Sequence, residues 1–279
     1  MGWRKRSSDC ESMAGRNKWV LAVNLRLSAH FQTIASLLWP WFLIWTGLAL
    51  VVMPFEIDQN HLRQWISNPG LVAALLWLLR AFDVVWIILA ASVTYFETVS
   101  NEGLGTARRW AGRIVVGSAV LAWVGVATGF PFGPFVYTDH LGFRIGHVLP
   151  FTVPFLWLVL ILCSRYTVLA LRPNAASWPK WRLAFAIATL VLLSDINLEG
   201  MVWHTRFYWI WYPGAIAGPN SPPLQNFVSW WGAAFLFSLS LGLNPVSSKV
   251  APRSWKPVII LAVMNALFLI VHLAVTGLR

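Results

Sequence analysis

The chain has 279 residues, 58% of them hydrophobic and only 11% charged, with a mean hydropathy of +0.64. A soluble domain carries about a quarter charged residues, so most of this chain's outer surface faces something other than water, and a soluble globular enzyme is excluded. The net charge of +11 is spread over short segments between apolar runs and forms no folded basic patch, which argues against nucleic acid and for anionic lipid at the inner face of a membrane.

Residues 1–30 form a basic segment with Arg4, Lys5, Arg6, Arg16, Lys18 and Arg26. No short apolar core with a small-residue cleavage site follows before the first long hydrophobic run, so the segment reads as a retained cytoplasmic tail. Residues 31–279 read as one transmembrane helical domain. Seven apolar stretches approach the roughly 20 residues needed to cross a bilayer as helix. They run over about 36–56, 71–96, 111–128, 149–170, 182–203, 226–243 and 257–276. With the connections taken to include charged residues at the span ends, as 97–113 and 165–182, their Lys and Arg counts alternate from the N-terminal tail onward as six, one, three, one, four, one, three and one, with Arg80 inside the second span. A wrong number of spans would scramble that alternation. The fold class is therefore all-α and polytopic, with about seven helices, the N-terminus cytoplasmic and the C-terminus outside. Segments 57–70, 129–148 and 204–225 then face outward.

The acidic residues in or beside spans are Glu56, Asp83, Glu97, Asp195 and Glu199. Each costs about 2.5–3.5 kcal/mol at a lipid-facing helix centre, so each is expected to face the bundle interior, a partner or an interface. Asp83 follows Arg80 by three residues, a spacing that allows an ion pair. Glu56 and Glu97 lie near span ends, within reach of headgroups. Asp195 and Glu199 are four apart and project from one helix face. Two carboxyl groups so close in low dielectric do not both ionise, so one is expected to hold a proton, as a general acid must. Water at the outer interface would relieve the conflict instead if Glu199 reaches it.

Six histidines are scattered, and none lies four residues from another His or from Cys, so no metal site is expected. His272 reads as a packed residue, with ligation of a chlorophyll-type magnesium as the alternative. Cys10 and Cys163 define no disulfide framework. The 19 Trp and 17 Phe are abundant. Trp3, Trp110, Trp178, Trp181 and Trp255 suit an interfacial belt. The denser cluster of Trp203, Phe207, Tyr208, Trp209, Trp211 and Tyr212, followed by Trp230 and Trp231, suits either anchoring or the faces that hold a polyene or a developing cation.

Two stretches are far from generic: Thr128-Gly-Phe-Pro-Phe-Gly-Pro-Phe-Val-Tyr-Thr-Asp139 and Pro223-Leu-Gln-Asn-Phe-Val-Ser-Trp230. Together they resemble the carotenoid-biosynthesis membrane protein family that includes the CruF-type carotenoid hydratases. The family's Asp-bearing helix before a Trp-rich stretch looks like Asp195-Ile-Asn-Leu-Glu199 followed by Phe207-Tyr-Trp-Ile-Trp211. The resemblance spans roughly residues 110–232. The sequence departs from the family pattern at Glu199-Gly200, where a second Asp-Pro is usual, and at Ala122-Trp-Val-Gly, where an acid is usual.

The resemblance implies hydration of the terminal double bond of an acyclic carotenoid end group, without a cofactor. A carboxylic acid protonates the alkene and water captures the tertiary cation. The acid would be Asp195 or Asp139, and Glu199 or Asn226 would position water. Phe130, Phe132 and Tyr137 would shield the cation, and Thr128, Phe227 and Trp230 would complete the substrate site. The partners implied are a lipophilic carotenoid and the bilayer itself, in a prokaryotic cytoplasmic membrane. The competing readings are a carotenoid end-group cyclase, which loses a proton in place of gaining water, and a non-enzymatic pigment-binding subunit. A retinal photoreceptor is disfavoured because the last span has no lysine beyond Lys256 at its edge.

Overall fold

A computed structural model describes residues 29–51, 63–202, 206–212, 221–241 and 254–277, excepting the side chains at 79, 80 and 275–277. Residues 1–28 of the basic tail, Glu56, His61, Trp203 and His204 lie outside the described residues. The protein is an all-α polytopic membrane protein. Its long helices are α1 Ala29–Val51, α2 Pro69–Glu102, α3 Leu104–Thr128, α4 Val153–Leu171, α5 Lys180–Met201, α6 Leu224–Leu241 and α7 Lys256–Gly277. Among the described residues, six of these are long and apolar enough to cross a membrane, all but the 18-residue α6.

The centre of the bundle is α4. From Val153 to Cys163 its sequence is apolar all round, the signature of a helix buried on every side, and it packs against α2, α3, α5 and α7. The surrounding helices keep one face for lipid, where Trp41, Val120, Phe185, Leu236 and Leu273 are exposed. Side-chain hydrogen bonds supplement packing between helices, as the absence of a hydrophobic drive within lipid demands. Trp86 Nε1 donates to Thr46 Oγ1 at 2.9 Å between α2 and α1. Asn197 Nδ2 donates to Asn265 Oδ1 at 3.0 Å between α5 and α7, and Asn265 donates in turn to Ser194 at 2.9 Å.

Helix ends follow local chemistry. The side chain of Asn68 caps α2, accepting from the backbone N–H groups of Gly70 and Leu71, with Pro69 in the first turn. The 34 residues of α2 measure about 51 Å, well beyond the hydrocarbon core. The connection expected over 97–113 is instead a corner of one residue, Gly103, with φ 81 and ψ 154. Only glycine adopts that backbone readily, and α3 begins at once with Arg108, Arg109 and Arg113 in its first turns.

At the opposite end, segments far apart in sequence meet. Strand β1 (Phe135–Tyr137) and strand β4 (Trp209–Trp211) pair antiparallel, with Phe135 opposite Trp211 and Tyr137 opposite Trp209. A hairpin of β2 (Arg144–Ile145) and β3 (Leu149–Pro150) lies between them in sequence. Alternation along a strand sends neighbouring side chains to opposite faces. Phe135, Tyr137, Trp209 and Trp211 therefore point inward and are buried, while Ile210 points out.

The acids resolve differently from expectation. Asp83 pairs with Arg206, 123 residues away; the side chain of Arg80, expected as its partner, lies outside the described residues. Glu97 does not reach headgroups; it is buried, 3.0 Å from Lys256 Nζ. His272 is packed against α5, with Nδ1 3.2 Å from the Gly200 carbonyl.

Candidate functional site

The site grows from the last two turns of α5. Asp195 and Glu199 project from the same face, and both are buried, 0% and 3% exposed. A pair of acids is tolerable in that setting only with donors at hand. Asn226 is the principal one. The turn Ser221-Pro-Pro223 starts α6, and Asn226 in its first turn is directed at α5. Its Nδ2 donates to Glu199 Oε1 at 3.0 Å and lies 3.4 Å from Asp195 Oδ2. The inward tryptophans of β4 supply the rest. Trp209 Nε1 lies 3.2 and 3.3 Å from the two Glu199 oxygens, and Trp211 Nε1 lies 3.4 Å from Oε2. Asp195 Oδ1 has no hydrogen-bond partner among the described residues.

Beside this group is a cavity walled by aromatic rings: Phe132, Phe135, Tyr137, Trp157, Trp209, Trp211 and Trp230. Asn226 opens onto it, so the carboxyl pair stands one side chain behind the wall. The space admitting a water-sized sphere is about 20 Å³, enough for a single water molecule. Trp157 and Trp230 stack at 4.1 Å with an 11° tilt, closing one side. Tyr137 meets Trp209 edge to face at 6.0 Å. Burial, and then the charge of Glu199, hold the Tyr137 phenol well above its ordinary range, so it stays protonated.

A second polar cluster fastens the ribbon to the bundle. Arg206, just before β4, donates through Nε to Asp83 at 3.1 Å, and its Nη2 completes the ion pair. The Arg206 carbonyl meets His140 Nδ1 at 2.6 Å, and Thr138 Oγ1 donates to the Phe207 carbonyl at 2.6 Å. Burial works against the guanidinium charge, but Asp83 and Tyr208 together outweigh it and hold the Arg206 pKa above its ordinary value.

The residues expected at the site divide into two groups. Asp195, Glu199, Phe132, Tyr137, Asn226 and Trp230 come together. Asp139 does not: it is 72% exposed at the rim, and Arg144 Nε holds it at 2.7 Å. Thr128 is exposed and serves the turn after α3, donating to the Val124 carbonyl at 2.7 Å and accepting from Phe130 N at 3.1 Å. Phe130 is 69% exposed and faces outward. Phe227, one residue past Asn226, is half-buried and does not line the cavity. Trp157 and Phe135 were not anticipated. The Trp-Ile-Trp alternation of β4 was the available signal that two indoles share one face.

Residues 82–278 match the profile of a family described as carotenoid biosynthesis protein. The chain belongs to that family. As a carotenoid biosynthesis protein, it is also 33% identical over 107 residues to the bisanhydrobacterioruberin hydratase of the archaeon Haloarcula japonica, a stretch covering 38% of this chain and 35% of that relative. The matched stretch thus spans about a third of the relative's length. No solved structure matches this carotenoid biosynthesis protein.

Proposed function

We propose that this chain is a membrane-embedded carotenoid hydratase that adds water to the terminal double bond of an acyclic end group. One observation carries the reading: a carboxyl group rich in N–H donors is paired with one short of them, beside an aromatic cavity with room for one water. Similarity to a protein named a hydratase supports it.

Hydrogen bonds to a carboxylate favour its charged form. Glu199 receives the amide and indole N–H groups and is the ionised partner, while Asp195 carries the proton. Asp195 gives that proton to the less substituted alkene carbon, the π electrons form the new C–H bond, and a tertiary cation remains. The faces of Tyr137, Trp157 and Trp209 stabilise the cation. Water then forms the C–O bond and passes a proton to Glu199. Return of a proton from Glu199 to Asp195, four residues away on the same face, resets the pair. One water is consumed and nothing is oxidised or reduced. An end group is larger than the space present, so wall side chains move to admit it.

A cyclase would begin with the same protonation, but room for one water in the aromatic cavity favours capture over ring closure. A pigment-binding subunit would retain its carotenoid unaltered. The basic segments favour a prokaryotic cytoplasmic membrane with the site facing outward.

The test is expression in lycopene-accumulating cells with pigment masses recorded. The wild type is expected to yield products heavier by one water. Asp195→Asn is expected to lower their formation by roughly 10²–10⁴-fold, the usual contribution of a general acid. Full activity in Asp195→Asn would overturn the assignment of the acid. No mass gain with the wild type would overturn the hydratase reading.

A further inference from the structure

A second hollow lies on the lipid side of the same wall. It is a groove between α3 and α6 of about 480 Å³, lined by Gly117, Val120 and Val124 on α3, Gly232 and Leu236 on α6, and Phe130 at its upper lip. From the geometry we infer that this groove holds the polyene chain of the substrate while the end group enters the aromatic cavity. The inference rests on the carotenoid reading and names how that site takes its substrate.

Continuity is the first argument. Consecutive residues serve the two spaces alternately: Leu121 lines the groove and Ala122 the cavity, Pro131 the groove and Phe132 the cavity, Ser229 the groove and Trp230 the cavity. The partition is thus about one side chain thick. Phe132 forms part of it, packed over Gly125, where an added Cβ would lie 2.8 Å from the Phe132 ring. Displacing Phe132 would join the two spaces.

Chemistry is the second argument. The one hydroxyl in the lining, that of Ser229, already donates to the Pro131 carbonyl at 2.7 Å. The groove offers an occupant no unspent hydrogen-bond donor, which suits hydrocarbon and disfavours a polar headgroup. Along α6 it runs from Ser229 to Phe237, about 12 Å at the helical rise, so it fits an elongated chain lying along the helices. Its walls include Val120, Val124, Phe130 and Leu236, all exposed large apolar residues. A polyene dissolved in the bilayer reaches them laterally without crossing water.

A matched control exists on the opposite side of α3. A groove of about 490 Å³ between α2 and α3 is equally open but carries Arg108, Ser92 and Tyr95, and it neighbours the cavity on α4 alone, where Phe155 and Leu158 line the groove and Leu156 and Trp157 the cavity. Gly232 lines the first groove and Gly112 the second, and at both an added Cβ meets nothing within 4 Å. A large side chain therefore enters either groove without disturbing the bundle.

The experiment compares wild type, Gly232→Trp and Gly112→Trp in phosphatidylcholine nanodiscs. Lycopene binding is followed by quenching of tryptophan fluorescence, and conversion by pigment mass. Gly232→Trp fills the groove and denies the polyene apolar surface to bury. It is expected to weaken binding by about tenfold or more and to raise KM, while Gly112→Trp behaves as wild type. Val120→Trp, from the facing wall, is expected to repeat the effect if Gly232→Trp proves unstable. Wild-type binding and conversion in both Gly232→Trp and Val120→Trp would overturn the inference and leave the groove to lipid acyl chains. If the wild type binds lycopene without mass gain, the hydratase reading fails while the groove is still judged by the binding arm.

Discussion

Glu199 is held from two directions, by Asn226 on α6 and by the indoles of β4, while its helix neighbour Asp195 is nearly unattended. In the proposed reaction the asymmetry gives different work to two residues of similar chemistry, and it depends on single N–H groups. A hydrogen bond to a charged group is worth about 1.5–3 kcal/mol. Trp209→Phe keeps a buried ring but removes one donor from Glu199. It is therefore expected to lower conversion roughly 10–100-fold with little change in thermal midpoint. Activity assays and melting curves on the same preparation check this, and an unimpaired Trp209→Phe would deny the indole a part in positioning Glu199. Of these groups, the acids were legible in sequence as polar residues in apolar surroundings, and Asn226 through the resemblance carried by Pro223–Trp230. The donor role of Trp209 and Trp211 was not, because the same residues equally suit an interfacial belt. What separates the two uses is inward orientation on a strand.

The helices were legible as elements because the length of an apolar run sets a span, and the observed bounds lie within several residues of those expected. The corner at Gly103 was not legible: three arginines looked like a loop, whereas a lone glycine turned the chain and left them helical. The ribbon was also hidden, since its pairing joins Phe135 to Trp211 across two whole helices, α4 and α5, and no local pattern specifies such a partner. Its anchor is the buried pair of Arg206 and Asp83, 14% and 0% exposed. Removing one member of a buried pair leaves an uncompensated charge and costs about 3–5 kcal/mol. Asp83→Leu or Arg206→Met alone is thus expected to lower stability by an amount of that order. The double variant is expected to recover a large part of it, because no lone charge remains. A double-mutant cycle by thermal melting in detergent measures this. Additive effects of the two substitutions would mean that the pair contributes no coupling between α2 and the ribbon.

At the scale of the whole molecule, the two ends of the bundle differ in kind. One end gathers the basic residues: the corner with Arg108 and Arg109, the connection from Arg172 to Arg182, and Lys256 paired with Glu97. There, too, Arg165 lies 3.8 Å from Glu102, with its guanidinium 4.7 Å from the Trp110 ring centre. The other end carries the ribbon, the aromatic cavity and the carboxyl pair. The alternation of positive charge predicts that the basic end faces the cytoplasm, which would expose the site's rim to the outside. Asp139 at that rim and Ser177 at the basic end are both exposed and suit single cysteine substitutions. Asp139→Cys removes an ion pair with Arg144 that is exposed and therefore worth only about 0–1 kcal/mol. In intact cells a membrane-impermeant thiol reagent is expected to label Asp139→Cys and to spare Ser177→Cys until the membrane is opened. Native Cys163 is buried, and replacing Cys10 with Ser removes the remaining background. The reverse labelling pattern would turn the molecule over and put the carboxyl pair near the cytoplasmic face, where water for the reaction would come from the cell interior.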